Sequence, residues 1–266
     1  MKYEIGFIGC GNMGGALVRA VAKKVPAEKI AVCDFFAEKV NALQKECGIT
    51  PSSAQEIAME SKFIVLAVKP QNMQETLQSL KSELSTREKD AVLITMAAGL
   101  SISAIKQWAG QGFAVIRIMP NTPCSVGAGM VLYAVDGVSK EDENAFLSAF
   151  AASGKIDKIE EGKIDAASAL SGCGPAFVYI FAEALADGAV ECGLPRDKAL
   201  LYASQTLLGA SKMLLANGHP GDLKDAVCSP GGTTIAGVHS LEKSGFRNAA
   251  MDAVLSAYKR TLELKK

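Results

Sequence analysis

The distribution of hydrophobic positions divides the chain into two parts of different character. Up to about residue 160, short apolar runs rich in β-branched residues alternate with patterns of helical period, which predicts βαβ units and a mainly parallel sheet. Residues 63–68 are apolar on both faces, which favours a doubly wound α/β sheet over a sandwich. The predicted strands are residues 3–8, 30–33, 63–68, 91–95, 114–119 and 130–135, and the predicted helices between them include residues 13–24, 37–46, 73–80 and 102–108.

The second part, residues 161–266, has no strand pattern and indicates helices separated by Gly and Pro. Residues 176–190 are apolar nearly all round, so we expect this helix to be buried on most sides. A second helix is predicted from near Pro195 to about Asn217, with Gly218 as its C-terminal cap, and a third over residues 247–264. We therefore expect two domains, residues 1–160 and 161–266, the second completing its core against another subunit.

Composition narrows the class of protein. The 49% hydrophobic and 21% charged residues are typical of a folded chain in water, and 28 basic against 28 acidic residues give no surface expected to bind nucleic acid. Seven cysteines without a C-x-x-C pair indicate reduced thiols and a cytoplasmic location. Neither a signal peptide nor a membrane span is expected. The only histidines, His219 and His239, lack metal-ligand spacing, so no metal site is expected.

A glycine-rich motif follows the first predicted strand and opens a helix, in the order Ile8, Gly9, Cys10, Gly11, Asn12, Met13, Gly14. In G-x-G-x-x-G, the glycines allow a tight turn, close approach of the backbone to a pyrophosphate, and close packing of helix on strand. Asp34 ends the second predicted strand twenty positions after Gly14, as a dinucleotide-binding Rossmann fold requires. A carboxylate there accepts hydrogen bonds from a ribose 2′-OH and repels a 2′-phosphate, which favours NADH, although Asp34 as a plain helix cap is the alternative.

Three further turns end strands of the same predicted sheet. Ligands bind beyond the carboxyl ends of parallel strands, so we expect these turns to line one crevice. The residues assigned to cofactor binding there are Ala67, Val68, Lys69 and Pro70, then Met96, Ala97 and Ala98, and finally Asn121 in the M-P-N-T-P turn.

Two glycine-rich segments lie in the helical part. In residues 229–234, S-P-G-G-T-T, consecutive amides at a predicted helix start form a site for a small anion such as a carboxylate, or else an ordinary helix cap. Residues 170–176, L-S-G-C-G-P-A, allow either two helices to cross closely or the backbone to meet a ligand.

Taken together, the glycine-rich loop, A-V-K-P, M-P-N-T-P, L-S-G-C-G-P-A and S-P-G-G-T-T resemble pyrroline-5-carboxylate reductases in order and over essentially the whole length. The resemblance implies reduction of L-1-pyrroline-5-carboxylate to L-proline by NAD(P)H, a helical dimerisation domain, and an active site formed between subunits of a homodimer or a ring of dimers. It also implies that Thr233, Thr234 and the acidic Glu160 contact the substrate, with Glu161 as the alternative to Glu160.

Two positions depart from the family pattern. Asp34-Phe35 stands where many members have Ser or Asn, often followed by Arg, so their NADPH preference need not transfer to this chain. Ala226 replaces an amide side chain found in relatives, which removes one expected cofactor contact.

The chemistry expected of the anion site follows from charge. The amides of Gly231, Gly232 and Thr233 would hold the substrate carboxylate, and Thr234 would act catalytically by donating its hydroxyl proton in a hydrogen bond to the imine nitrogen. A β-hydroxyacid dehydrogenase is a rival enzyme class, but residues 172–191 contain no Lys to serve as its acid/base. A non-catalytic NAD(P)-binding sensor is the rival outside enzymes.

Overall fold

A computed structural model describes residues 1–87 and 90–263. The strands are β1 Tyr3–Ile8, β2 Ile30–Cys33, β3 Thr50–Pro51, β4 Ser61–Leu66, β5 Val92–Thr95, β6 Ala114–Met119, β7 Gly129–Asp136 and β8 Gly154–Lys158. The α-helices of the first part are α1 Asn12–Val21, α2 Ala37–Cys47, α3 Ala54–Glu60, α4 Met73–Ser79, α5 Lys81–Leu84, α6 Ile102–Ala109, α7 Lys140–Phe150 and α8 Ile164–Ser171. Those that follow are α9 Gly174–Glu191, α10 Arg196–Asn217, α11 Pro220–Ala226, α12 Thr233–Lys243 and α13 Phe246–Glu263.

The eight strands of the described residues form one sheet in the order β3-β2-β1-β4-β5-β6-β7-β8. Every pairing is parallel except that of β7 with β6. One apolar cluster, which includes Phe7 and Phe150, lies on one side of the sheet, and a second, which includes Ile64 and Phe113, lies on the other. Alternate residues of a strand point to opposite faces, so both faces are covered. The predicted doubly wound, mainly parallel α/β fold is confirmed.

The register aligns the ends of four strands. Ile8 pairs with Cys33 on one side and Leu66 on the other, and Leu66 pairs with Thr95. The turns that follow these four residues therefore leave the sheet along one edge, at the topological switch point where the chain crosses from β3 to β4.

A buried ion pair fixes the chain after the last strand against the sheet. Arg117 on β6 donates from Nη2 to Asp165 Oδ1 at 2.8 Å, and its Nη1 lies 3.3 Å from Glu161 Oε1. The same Glu161 oxygen accepts the Ile102 N–H at the start of α6 at 2.6 Å. Since the side chains of Arg117 and Asp165 are only 3% and 4% exposed, this pair holds α8 in one position.

The chain divides into two compact units, Met1–Cys173 with the chain from Ala257 on, and Gly174–Ser256. In the described residues the last strand ends at Lys158, but α8 still belongs to the first unit. The domain boundary predicted near residue 160 therefore stays a prediction, while the division into compact units lies between residues 173 and 174.

The helical unit has very little interior of its own. Within its described residues, the buried hydrophobic side chains are those of Ala186, Ala199 and Ala203, where α9 packs on α10. The expectation that residues 176–190 are buried on most sides is therefore not met within one chain: Tyr179 and Ile180 are 62% and 66% exposed. Within the unit, the small side chains of Ala186, Ala199 and Ala203 form the buried contact, and the larger apolar side chains of α9 stay outside it.

Candidate cofactor cleft and anion site

The glycine-rich loop has the geometry that the motif predicts. Gly9 has φ +99°, and a Cβ there would lie 2.7 Å from the Ala67 carbonyl oxygen, so the turn requires glycine. A Cβ on Gly14 would lie 2.6 Å from the Gly9 oxygen. Glycine at position 14 therefore allows α1 to pack closely on the sheet. A Cβ on Gly11 would meet nothing within 4 Å. Gly11 caps α1 and thus leaves the N–H groups of its first turn open to an anion.

The turns along this sheet edge enclose a cleft made of three adjoining cavities, which share Gly11 and Lys39 among their lining residues. The largest, about 790 Å³, extends from the glycine-rich loop to the end of β2 and to Ser52–Ala54. The second, about 440 Å³, extends along the A-V-K-P turn. Of the predicted cofactor residues, those that line the cleft are Ile8, Gly9, Cys10, Gly11, Asn12, Met13, Gly14, Asp34, Ala67, Val68, Lys69, Pro70, Met96 and Ala97.

Two predicted cofactor residues are not among the lining of the cleft. Ala98 lies beyond Ala97 in the turn after β5. Asn121 is 9% exposed, and its amide is engaged by the protein: Nδ2 donates to the Ser171 carbonyl and Oδ1 accepts the Met130 N–H, both at 2.9 Å. Asn121 therefore ties the turn after β6 to the end of α8, and its contact with the cofactor stays a prediction.

Asp34 is held by the backbone on both sides. Its Oδ2 accepts the Cys10 N–H at 2.7 Å and its Oδ1 accepts the Phe36 N–H at 3.0 Å. Partial burial favours the neutral acid, but these two N–H groups and the charge of Lys39 outweigh it, so the pKa of Asp34 lies below its usual value. Burial and the Asp34 charge raise the pKa of Cys10 to about 12, so the loop carries a neutral thiol.

Sequence reasoning missed several lining residues. Lys39 on α2 lines all three cavities, with Nζ 4.5 Å from the centre of the Phe36 ring. In the sequence Lys39 is the first basic residue after Asp34, and no motif marks it as part of the site. The polar residues around Ser52 and Ser53 were also missed, because the two-residue strand β3 that positions them is too short to give a pattern.

The two acidic candidates after β8 have different surroundings. Glu161 forms an ion pair with Arg117 and accepts a hydrogen bond from the backbone at the start of α6. Glu160 and Glu161 both line a separate cavity of about 540 Å³ that shares no lining residue with the cleft. The assignment of Glu160 to the substrate therefore stays a prediction, while Glu161 has a structural role that accounts for its position.

In the helical unit, the S-P-G-G-T-T segment forms the N-terminus of α12. Gly231 has φ +69° and Gly232 is the N-cap, so the N–H groups of Thr233 and Thr234 fall in the unpaired first turn. The Gly232 N–H donates to the Ser229 carbonyl at 3.0 Å, so this amide is already engaged, in contrast to its predicted role in holding a carboxylate. Both threonines are exposed.

A Rossmann sheet, a glycine-rich loop at its switch point and a helical second unit define a dinucleotide-dependent oxidoreductase. The family model for pyrroline-5-carboxylate reductase dimerisation matches residues 161–264, and the model for NADP oxidoreductase coenzyme F420-dependent matches residues 4–99. The chain is 42% identical to the pyrroline-5-carboxylate reductase of Arabidopsis thaliana, over 99% of this chain and 96% of the relative. The Escherichia coli enzyme is 40% identical with both chains fully covered. This chain belongs to the pyrroline-5-carboxylate reductase family.

Solved structures agree with this assignment. The Plasmodium falciparum pyrroline carboxylate reductase with NADP bound superposes with a TM-score of 0.88 at 33% identity, covering 100% of both chains. The reductase of Coxiella burnetii gives 0.90 at 32% identity with the same coverage. The fold class and the family of the chain thus rest on matches over its whole length.

Proposed function

We propose that this chain reduces L-1-pyrroline-5-carboxylate to L-proline, with NAD(P)H as the hydride donor. When bound, NAD(P)H would supply a hydride with its electron pair to the imine carbon, and the nitrogen would end with a proton from solvent. The observation that carries the proposal is the glycine-rich loop, whose Gly11 faces open space while Gly9 and Gly14 are closely packed. Packing accounts for glycine at positions 9 and 14 but not at position 11, where the missing side chain leaves room for a pyrophosphate to approach the backbone.

The start of α12 supports the substrate part of the proposal. A helix N-terminus with unpaired N–H groups binds a carboxylate, and the helix dipole adds to the attraction. Because the Gly232 N–H is engaged by Ser229, we assign the carboxylate to the N–H groups of Gly231 and Thr233. The Thr234 hydroxyl donates a hydrogen bond to the imine nitrogen, where charge changes during hydride transfer.

The test is the Thr234→Ala variant with Thr234→Ser as its matched control. Loss of one positioned donor costs about 100-fold in kcat/KM, so the alanine variant should fall by that factor while serine retains most activity. NADH oxidation with pyrroline-5-carboxylate, and NAD⁺ reduction with proline at high pH, measure both directions. Equal kinetics in wild type and Thr234→Ala would remove Thr234 from the mechanism, and a wild-type enzyme inactive in both assays would favour the sensor alternative.

We propose a modest preference for NADH over NADPH. Asp34 presents a carboxylate where the 2′-phosphate of NADPH would lie, but Lys39 lines the same cavity and offsets that charge. With unit charges about 5 Å apart and an effective dielectric constant between about 20 and 80, each effect is about 1–3 kcal/mol, so Lys39 offsets much of the repulsion and the preference is smaller than Asp34 alone would give. Lys39→Met should widen the ratio of kcat/KM for NADH to that for NADPH, and Asp34→Asn should narrow it. A wild-type enzyme that strongly prefers NADPH contradicts this assignment.

We propose that the exposed apolar surface of the helical unit is covered by a second copy of the chain, in a homodimer or a ring of dimers. Leu201 and Leu215 are 58% and 90% exposed there. By length and composition the helical stretch Glu161–Glu191 could also cross a membrane, but it falls within the match to the dimerisation model. Light scattering after gel filtration should give a dimer or larger species, with Leu201→Asp shifted towards monomer. Recovery only in the membrane fraction would contradict the proposal.

We also propose a cytoplasmic location, which the seven unpaired cysteines support. Fractionation of cells that express the tagged chain tests it, and secretion of the protein would refute it.

A further inference from the structure

An aromatic pair at the mouth of the cofactor cleft is not explained by the fold. Phe35 is 94% exposed and Phe36 is 49% exposed, yet both line the 790 Å³ cavity beside Asp34. A large apolar ring left almost wholly in water gains nothing for folding, because it removes little surface from solvent. Its position next to the Asp34 carboxylate therefore points to a role in binding.

The neighbouring residues hold this pair in place. The rings of Phe35 and Phe36 meet edge to face, with centres 5.3 Å apart and planes at 86°. Phe36 is anchored by its N–H to Asp34 Oδ1 and by Lys39 Nζ over its ring. Phe35 thus has the Phe36 ring as a neighbour, while most of its surface stays exposed beside the cavity that it lines.

The order of groups along the cleft identifies the ligand part that Phe35 would meet. A bound dinucleotide would have its pyrophosphate at the start of α1 and its ribose hydroxyls at Asp34, at the end of β2. The next group outward from that ribose is the adenine ring, which is flat, uncharged and suited to stacking on an aromatic side chain. We propose that Phe35 is the adenine-stacking residue of this chain, with Phe36 as its support. The inference rests on the dinucleotide binding proposed above and adds a residue to it.

The test measures binding directly, separately from turnover. Dissociation constants of the full-length protein are measured for NADH and for reduced nicotinamide mononucleotide, which has no adenine. Stacking of a base on an aromatic ring contributes enough that Phe35→Ala should weaken NADH binding about tenfold. It should leave the mononucleotide unchanged, and Phe35→Trp should restore NADH affinity. Val126→Ala is the matched control, because Val126 is 76% exposed in the same unit but outside the cleft lining.

Two outcomes would overturn the inference. One is NADH binding by Phe35→Ala as tight as by wild type, and a simultaneous change in the mass of the assembly would then assign the ring to a contact between chains. The other is equal weakening of NADH and of the mononucleotide, which would indicate a distorted loop. A wild-type protein that binds NADH but does not reduce pyrroline-5-carboxylate would refute the proposed function and leave the stacking result standing.

Discussion

Removing the charge of Asp165 should destabilise the first unit far more than removing an exposed carboxylate. The Asp165→Asn variant leaves the Arg117 guanidinium buried, with Glu161 as its remaining acidic neighbour at 3.3 Å. Arg117 Nε already lacks a hydrogen-bond partner in the described part of the chain. The cationic side chain would then be held at 3% exposure with its closer counter-charge gone.

The magnitude follows from the burial of both partners. Breaking a buried pair from one side costs about 3–5 kcal/mol in the free energy of unfolding, because the charge that stays inside has lost its closer partner. At about 2–4 °C per kcal/mol for a unit of this size, the melting temperature should fall by about 6–20 °C. The double variant Arg117→Met with Asp165→Leu removes both charges and should recover most of that loss.

Thermal and urea unfolding, followed by circular dichroism, measure these differences. Glu46→Gln is the control, because Glu46 pairs with Arg19 at the surface, where side-chain exposures are 50% and 38%. Such an exposed pair contributes about 0–1 kcal/mol. If Asp165→Asn cost no more than Glu46→Gln, or if the double variant were less stable than the single one, the reasoning from burial would be refuted.

Substitutions at two glycines should separate effects on folding stability from effects on cofactor binding, and a buried carboxylate should make stability depend on pH. Gly9→Ala should lower both stability and NADH affinity, because its Cβ would clash with the Ala67 oxygen, whereas Gly11→Ala should keep its melting temperature and lose affinity at least tenfold. NADH titration and thermal unfolding of both variants check this, and equal behaviour would contradict it. Lys158 and further hydrogen bonds lower the pKa of Glu143 from 4.5 to about 2, so the stabilisation is present above about pH 4.5 and is lost as the pH falls towards 2. Glu143→Gln should flatten that part of the acid unfolding curve, and an unchanged curve would exclude the effect.

The buried strands could be predicted from the sequence because their apolar runs are continuous. β1, β2 and β6 have the predicted bounds. β8 was missed because Lys155, Asp157 and Lys158 interrupt any apolar run, as is typical of a strand at the edge of a sheet. The antiparallel direction of β7 leaves no mark in a single strand's composition, since it depends on the path of the chain.

Site residues that act through their backbone could be predicted from the sequence. Residues whose side chains contact parts of the chain distant in sequence could be predicted less well. Gly9, Gly11 and Gly14 follow from spacing alone. Lys39 could not be assigned, because its place depends on how α2 packs beside the glycine-rich loop. The hydrogen bond from Asn121 to the Ser171 carbonyl joins residues fifty positions apart, and no local sequence pattern predicts such a contact.

The three-alanine interior of the helical unit has a consequence for synthesis in the cell. As the chain leaves the ribosome, the first 173 residues contain a complete sheet with both faces covered and can fold while translation continues. The helices that follow bury few apolar side chains against one another, so they are too weakly packed to be stable alone. If a second copy completes them, their stability rises with protein concentration. Newly made chains at low abundance would then carry a folded nucleotide-binding sheet and incompletely folded helices exposed to chaperones and proteases.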